Sequence, residues 1–403
     1  MKLATLKDGS RDGLLVVVSR DLSQAHHAAD VATTLQQLLD DWNFCSPPLQ
    51  ALYASLNAGK ARHAFAFDPH QCMAPLPRGQ VWVAAQAYPS HLARLCGDVE
   101  PKLPAGLMKR APLQLRSSAA MSGPRGALLL ASDSAHTQID IEPALAVLTA
   151  DLPAGSDADA ATEAVRLLMV LNGWVLLDAP PASSAQAQGD LPAHLHAPVG
   201  APLDAFLGAA CSPVVVTPEE LGPSWRQGKL HGTLESRING RLLGRCDTAS
   251  GMLFDFGQLL AQLASARALP AGCILSSGTV SVAELAGGPD DSQQAALCVA
   301  EQRVLRSQVL VSGTACLAPG DTVRVEFRNE SGHAVFGVIE QQLRLPGGAV
   351  SDGRQAESAE TARRSESAEK SEKAKESRPR APAGKAPPQS AELPAPVPGS
   401  GAA

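Results

Sequence analysis

Aromatic side chains are scarce, at 3% of 403 residues. That argues against the aromatic platforms on which single-stranded nucleic acid stacks. Charge is sparse too: 18% of residues are charged and the net charge is −6. A nucleic-acid binder would carry a clustered basic surface, and none is expected here. No apolar run reaches the length of a membrane span, so no membrane partner is expected. The opening Met1-Lys2-Leu3-Ala4-Thr5-Leu6-Lys7-Asp8 meets charge too early for a secretory signal core, and a cytoplasmic location is expected. The eight cysteines (Cys45, Cys72, Cys96, Cys211, Cys246, Cys273, Cys298, Cys316) form no C-x-x-C pair. They read as small buried hydrophobes in a reduced compartment. Also missing are the G-x-S-x-G elbow, the P-loop and the H-E-x-x-H helix.

What remains is a chain that is 45% hydrophobic, enough for a large core. The pattern indicates an α+β protein with three parts. Residues 1–78 form a small α/β N-terminal domain. Leu14–Val18 is a strand, and Ala29–Asp41 has helical spacing with Val31, Leu35, Leu38 and Leu39 on one face. Ser46-Pro47-Pro48 fits a helix start, with a stop at Gly59 and a hinge at Pro75 and Pro77. Residues 79–347 form the main domain. In it Glu163–Leu171 and Phe256–Leu269 read as helices, and Val214–Val216 as a short buried strand. Thr322–Phe327 alternates inward Val323, Val325 and Phe327 with polar neighbours. Asn329–Gly332 then reads as a hairpin turn into Val335–Ile339. Pro180–Pro202 and Gly287–Gln294 have linker chemistry. Residues 348–403 are rich in Ala, Pro, Ser, Glu and Lys and have too few large apolar side chains to offset ordering entropy, so a disordered tail is expected.

Several segments carry a resemblance to a known family. They are residues 1–20, Ala61-Arg62-His63-Ala64-Phe65, Met73-Ala74-Pro75-Leu76-Pro77 and Ser212-Pro213-Val214-Val215-Val216-Thr217-Pro218-Glu219-Glu220-Leu221-Gly222. Ser277-Gly278-Thr279-Val280-Ser281, Gly320-Asp321-Thr322-Val323-Arg324 and Phe336-Gly337-Val338-Ile339-Glu340-Gln341 follow in order. Together, across residues 1–345, they resemble the bacterial type of the fumarylacetoacetate hydrolase family. The resemblance implies a mixed β-roll catalytic domain, a homodimer, and Mg²⁺ or Ca²⁺ that chelates a small 2-oxo or β-diketo acid and stabilises its enolate. It also implies a His with a Glu partner to activate water for C–C bond cleavage.

On this resemblance His91, after Trp82, is the catalytic His; Glu301, in Cys298-Val299-Ala300-Glu301, is its partner on a strand; and Thr279 contacts substrate. The metal half departs from the pattern. The Asp expected seven residues before His91 is Ala84. The expected Glu-x-Glu pair, which period-2 geometry would aim at one ion, reads Glu142-Pro143-Ala144. The Asp expected after Asn172 is Gly173. A Tyr-Gln-Gly stretch is replaced by Gln114-Leu115-Arg116, and a substrate-binding Lys before Ser212 is missing. Glu142 is thus a metal-site remnant, with Asp133, Asp140 and Asp151 the other nearby carboxylates. His26-His27, read near a helix start, and His194-x-His196 offer no fuller ligand set. Three readings follow: a catalytically impaired relative serving as a binding or dimer-partner subunit, with no cofactor; an active metal-dependent hydrolase of a β-diketo acid; and a metal-free keto–enol isomerase run by His91 and Glu301.

Overall fold

The computed structural model describes residues 1–95, 103–130, 138–177, 206–283, 295–307 and 317–345. Met1–Pro346 is one compact unit, and Gly347–Ala403 lies outside the described residues. The fold is mixed α+β, with a small N-terminal part and a sheet-rich remainder. No helix among the described residues is long and apolar enough to cross a membrane.

In chain order the first elements are β1 (Lys2–Leu6), β2 (Leu14–Val18), β3 (Gln24–His27), α1 (Leu35–Asp40), α2 (Trp42–Asn57) and β4 (Phe65–Ala66). Then come β5 (Trp82–Ala85), α3 (Pro89–Leu95), β6 (Leu113–Arg116), β7 (Met121–Ser122), β8 (Arg125–Leu129), β9 (Ile139–Thr149), α4 (Ala158–Glu163) and β10 (Val165–Leu176). The last part adds β11 (Phe206–Cys211), β12 (Val215–Val216), α5 (Pro218–Leu221), β13 (Trp225–Arg226), β14 (Lys229–Leu230), β15 (Gly232–Ile238) and β16 (Arg241–Asp247). It closes with α6 (Phe256–Ala264), β17 (Ile274–Thr279), α7 (Val299–Ser307), β18 (Thr322–Asn329) and β19 (Ala334–Arg344).

A 12-stranded sheet runs β4-β3-β2-β1-β12-β10-β9-β17-β5-β6, with β11 beside β10 and β7 beside β11. A 5-stranded sheet runs β16-β15-β18-β19-β8. The N-terminal strands are therefore hydrogen-bonded into the sheet that carries the central strands β9 and β10. Val16, Val18, Leu145, Val147, Leu168, Val170, Val325 and Phe327 share one core, which explains how so few aromatics suffice. The described cysteines are free and buried, while Cys96 and Cys316 lie outside the described residues.

Leu14–Val18, Val215–Val216, the strand from Thr322 and its hairpin partner stand as the sequence pattern predicts. Several elements differ. Glu163–Leu171 is no helix: Glu163 ends α4, and β10 begins at Val165. This strand is sandwiched between β9, β11 and β12 and buried on both faces. Such a strand loses its alternation and reads as a continuous apolar run. Only Leu35–Asp40 of the first expected helix is helical, started by the Thr34 cap. Pro47 and Pro48 do not start α2 but lie inside it. They are exposed near its first turns, as are Asn43 and Phe44, and having no N–H they donate no helical hydrogen bond to those two carbonyls. The helix begun at Phe256 is opened by an Asp255/Gln258 capping box but ends at Ala264, five residues short of Leu269. Leu269 instead pairs its backbone with Leu152. His26 and His27 sit on β3, not at a helix start. Pro180–Pro202, His194, His196, Gly287–Gln294 and Asp133 lie outside the described residues.

Candidate active site

The strand order β10-β9-β17-β5-β6 brings the sequence-predicted metal positions onto one face. Gly173 lies opposite Glu142, Ala144 opposite Thr279, Ser276 opposite Ala84, and Trp82 opposite Arg116. Side chains two apart on a strand share a face. Ala84, Glu142, Ala144, Gly173 and Thr279 therefore line one cavity, with Trp82, Gln86, Arg116 and Phe206 completing its wall. Its volume is about 20 Å³, room for roughly one water. The Thr279 hydroxyl is buried and has no hydrogen-bond partner.

Arg116 belongs to the stretch that replaces the expected Tyr-Gln-Gly. Its guanidinium lies 4.5 Å over the Phe206 ring and donates to Gln114 Oε1 at 2.8 Å. Burial draws its pKa below the usual value, with the charge of Glu142 acting the other way. Among the described residues, those facing the cavity offer one carboxylate, one guanidinium and the uncharged side-chain oxygens of Gln86, Ser276 and Thr279. Mg²⁺ takes six oxygens in a near-octahedral array, and Ca²⁺ six to eight. Ala84, Ala144 and Gly173 supply none, so the donor set of the described residues does not fit Mg²⁺ or Ca²⁺. Asp140 does not fill the gap. Its carboxylate accepts from the amides of Ile141 (2.7 Å), Val299 (2.8 Å) and Ala300 (2.7 Å), closing the start of α7. Burial still pushes its pKa up to about 6. Asp151 accepts from the Ala271 amide and lies on no wall of this cavity.

His91 and Glu301 are brought together, 210 residues apart in sequence but 3.4 Å apart from Nδ1 to Oε2. His91 sits on α3. Glu301 sits on α7, a helix rather than the expected strand, because Asp140 satisfies that helix's first amides. Both are buried, at 2% and 0% exposure. The contact is an ion pair without an aligned hydrogen bond, and neither imidazole nitrogen has a hydrogen-bond partner. Burial opposes the His91 charge, but the Glu301 carboxylate outweighs it and raises the pKa. Burial likewise opposes the Glu301 charge, and His91, Arg94 and Ser281 overcome it and hold the pKa below the usual carboxylate value. Glu301 Oε1 accepts from Ser281 Oγ at 2.6 Å and from Arg94 at 3.3 Å, while the Cys298 thiol donates to Oε2 at 3.3 Å. Arg94 also binds the carbonyls of Ala295 (2.7 Å) and Val282 (2.6 Å).

Arg94, Ser281, Cys298 and Arg116 escaped the sequence reading. Arg94 follows His91 by three residues on a helix, a spacing that places both on one face; that was the available signal. His91 and Glu301 are not on the wall of the cavity that holds Glu142 and Thr279, so the predicted site residues fall into two neighbouring clusters. Glu142 is still near enough to act on the His91 charge. Two larger hollows contain neither cluster: one of about 410 Å³ lies in the N-terminal part, and one of about 820 Å³ lies between N-terminal residues and Glu220, Asn329 and His333–Val335.

Comparison with known proteins places this geometry. Residues 1–78 match the fumarylacetoacetase N-terminal domain 2 model, and residues 80–344 match the fumarylacetoacetate hydrolase C-terminal model. No curated protein matches the chain. Among solved structures, maleylpyruvate hydrolase from Sphingobium sp. SYK-6, in complex with manganese(II) and pyruvate, is 14% identical with a TM-score of 0.52. The match covers 86% of this chain and 99% of that one. Fumarylacetoacetate hydrolase from psychrophilic Exiguobacterium antarcticum is 16% identical with a TM-score of 0.54, covering 86% and 99%. 2-Hydroxyhepta-2,4-diene-1,7-dioate isomerase from Mycobacterium marinum is 13% identical with a TM-score of 0.50, again covering 86% and 99%. At these identities the likeness speaks for the fold, while the domain models span most of the chain: it belongs to the fumarylacetoacetate hydrolase family.

Proposed function

We propose that this chain is a catalytically impaired member of its family, kept as a binding or homodimer-partner subunit rather than as a metal-dependent hydrolase. The observation that carries the reading is the cavity wall, where Glu142 stands alone among Ala84, Ala144 and Gly173 while Arg116 supplies a fixed positive charge. Carboxylates clustered without an ion repel one another, so losing ion and ligands together leaves the fold undisturbed. Leu115 on β6 and Leu129 on β8, at the edges of the two sheets, are 67% and 66% exposed. Exposed leucines on sheet edges suit docking to a second chain.

A second reading rests on the assembled His91–Glu301 pair. A carboxylate-held imidazole can pass a proton between carbon and oxygen without a metal, as keto–enol isomerisation requires. The deciding experiment is hydrolysis of a simple acylpyruvate, followed by ultraviolet absorbance with Mg²⁺, with Mn²⁺ and with chelator. No turnover by folded protein is expected. Metal-dependent turnover abolished in His91→Ala would overturn the leading reading. Metal-independent ketonisation of an enol substrate, lost in the same variant, would favour the second.

A further inference from the structure

The Glu301 carboxylate is divided between two environments. Oε1 is fully engaged by Ser281 and Arg94. Oε2 faces His91 Nδ1 at 3.4 Å and Cys298 Sγ at 3.3 Å. One donor atom each from His91, Cys298 and Glu301 lies within 4.8 Å of the other two. All three residues are buried, and His91, at 2% exposure, has two nitrogens without a hydrogen-bond partner. Leaving an imidazole so placed costs stability unless something binds it.

We infer that His91, Cys298 and Glu301 form a binding site for a borderline-soft transition-metal ion, of which zinc is the best fit. The geometry carries this. A tetrahedral zinc with ordinary bond lengths sets its nitrogen and oxygen ligands about 3.4 Å apart, and its sulfur and oxygen ligands about 3.6 Å apart. The two observed edges already match to within a few tenths of an ångström, and the third is no longer than 4.8 Å. Thiol and imidazole donors select zinc over Mg²⁺ or Ca²⁺, which take oxygen. With Arg94 still bonded to Oε1, a dication, a thiolate and a carboxylate leave the cluster with one net positive charge, the same as when His91 is protonated and no ion is bound. On binding, Cys298 and the His91 imidazolium each release a proton to solvent, so that the metal is held by a thiolate and a neutral ring. The site is distinct from the Glu142 remnant, whose only donors are oxygens.

The test is a cobalt(II) titration of the full chain after chelator treatment, read by absorption. Expected are a thiolate-to-cobalt charge-transfer band in the near ultraviolet and the visible bands of a four-coordinate ion, both displaced by zinc. Cys298→Ala should abolish the near-ultraviolet band and weaken zinc binding by at least about 100-fold, since second-layer residues alone cost 10–100-fold. Where Cys298→Ala does not fold, the near-isosteric Cys298→Ser should likewise lose the sulfur band. Glu142→Ala should keep it. No near-ultraviolet band in the wild type, or one that survives loss of the Cys298 sulfur, overturns the inference.

Discussion

Glu142 and Gly173 face each other across β9 and β10, and a Cβ built on Gly173 would lie 3.4 Å from Glu142 Oε2. A carboxylate at position 173 would thus share space with that of Glu142 and could point at the same ion. Without an ion it would only repel. Gly173→Asp alone is expected to lower stability by about 1 kcal/mol, from like charge and a tight Cβ contact. Urea unfolding of the single variant measures it.

Rebuilding the donor set should reverse that cost. Ala84→Asp, Ala144→Glu and Gly173→Asp combined place four carboxylates on one wall. The combined protein is expected to bind Mn²⁺ where the wild type does not, and more tightly once Arg116→Gln removes the competing cation. Calorimetric titration would decide it. No binding by the fourfold variant would mean that Arg116 and the lost carboxylates are not what excludes the ion.

His91 and Glu301 shape the pH dependence of stability in opposite directions. The His91 pKa is raised above 6.5 in the fold, so its contribution is complete below pH 6.5 and is lost as pH climbs through the raised value. The Glu301 pKa is lowered below 4.5, so its contribution is complete above pH 4.5 and is lost as pH falls through the lowered value. Both act fully between pH 4.5 and 6.5. His91→Ala should cost about 2 kcal/mol in that window, less than a fully broken buried pair because Arg94 and Ser281 still hold Glu301. Its alkaline limb should be flatter than that of the wild type in denaturant titrations across pH.

Asp140 pulls the same way as His91, at lower pH. Its carboxyl is raised from 3.8 to about 6, so folding takes up a proton between those values and stability falls as pH rises through them. Asp140→Ala should remove this slope. It should also cost about 2 kcal/mol at neutral pH, because three buried amides lose their acceptor. Circular-dichroism melting at pH 4 and pH 7 would separate the two effects.

Gly278 has φ +77°, and a Cβ there would come 2.2 Å from the Ala85 carbonyl oxygen. Gly278→Ala should therefore cost about 3 kcal/mol, since both the backbone and its neighbour must move. The next residue, Thr279, would shift with it. Melting temperature reads the loss.

The sequence made the site's positions legible where period-2 geometry governs. Glu142 and Ala144 stand on one face of β9 as expected, and the alternation of Val323, Val325 and Phe327 located β18. It failed where burial erases alternation, as in β10, whose two covered faces leave no polar stripe to read. Glu301 was found through resemblance but put on a strand, because the cap that makes α7 a helix comes from Asp140, 159 residues earlier. Arg116 was passed over for a similar reason. Only the sheet order sets β6 beside β5, and thereby its guanidinium beside Glu142. That His91 and Glu301 lie off the cavity that holds Glu142 is a tertiary fact with no local trace.

The pairing of Lys2 with Val216 also fixes a timetable. During synthesis β1 gains one neighbour at once, β2, but its other edge waits for residues 215 and 216 to emerge. At about 5–20 residues per second, that edge is bare for roughly ten seconds or more. Nascent chains arrested before residue 215 should be far more prone to strand-to-strand aggregation than those arrested just beyond it.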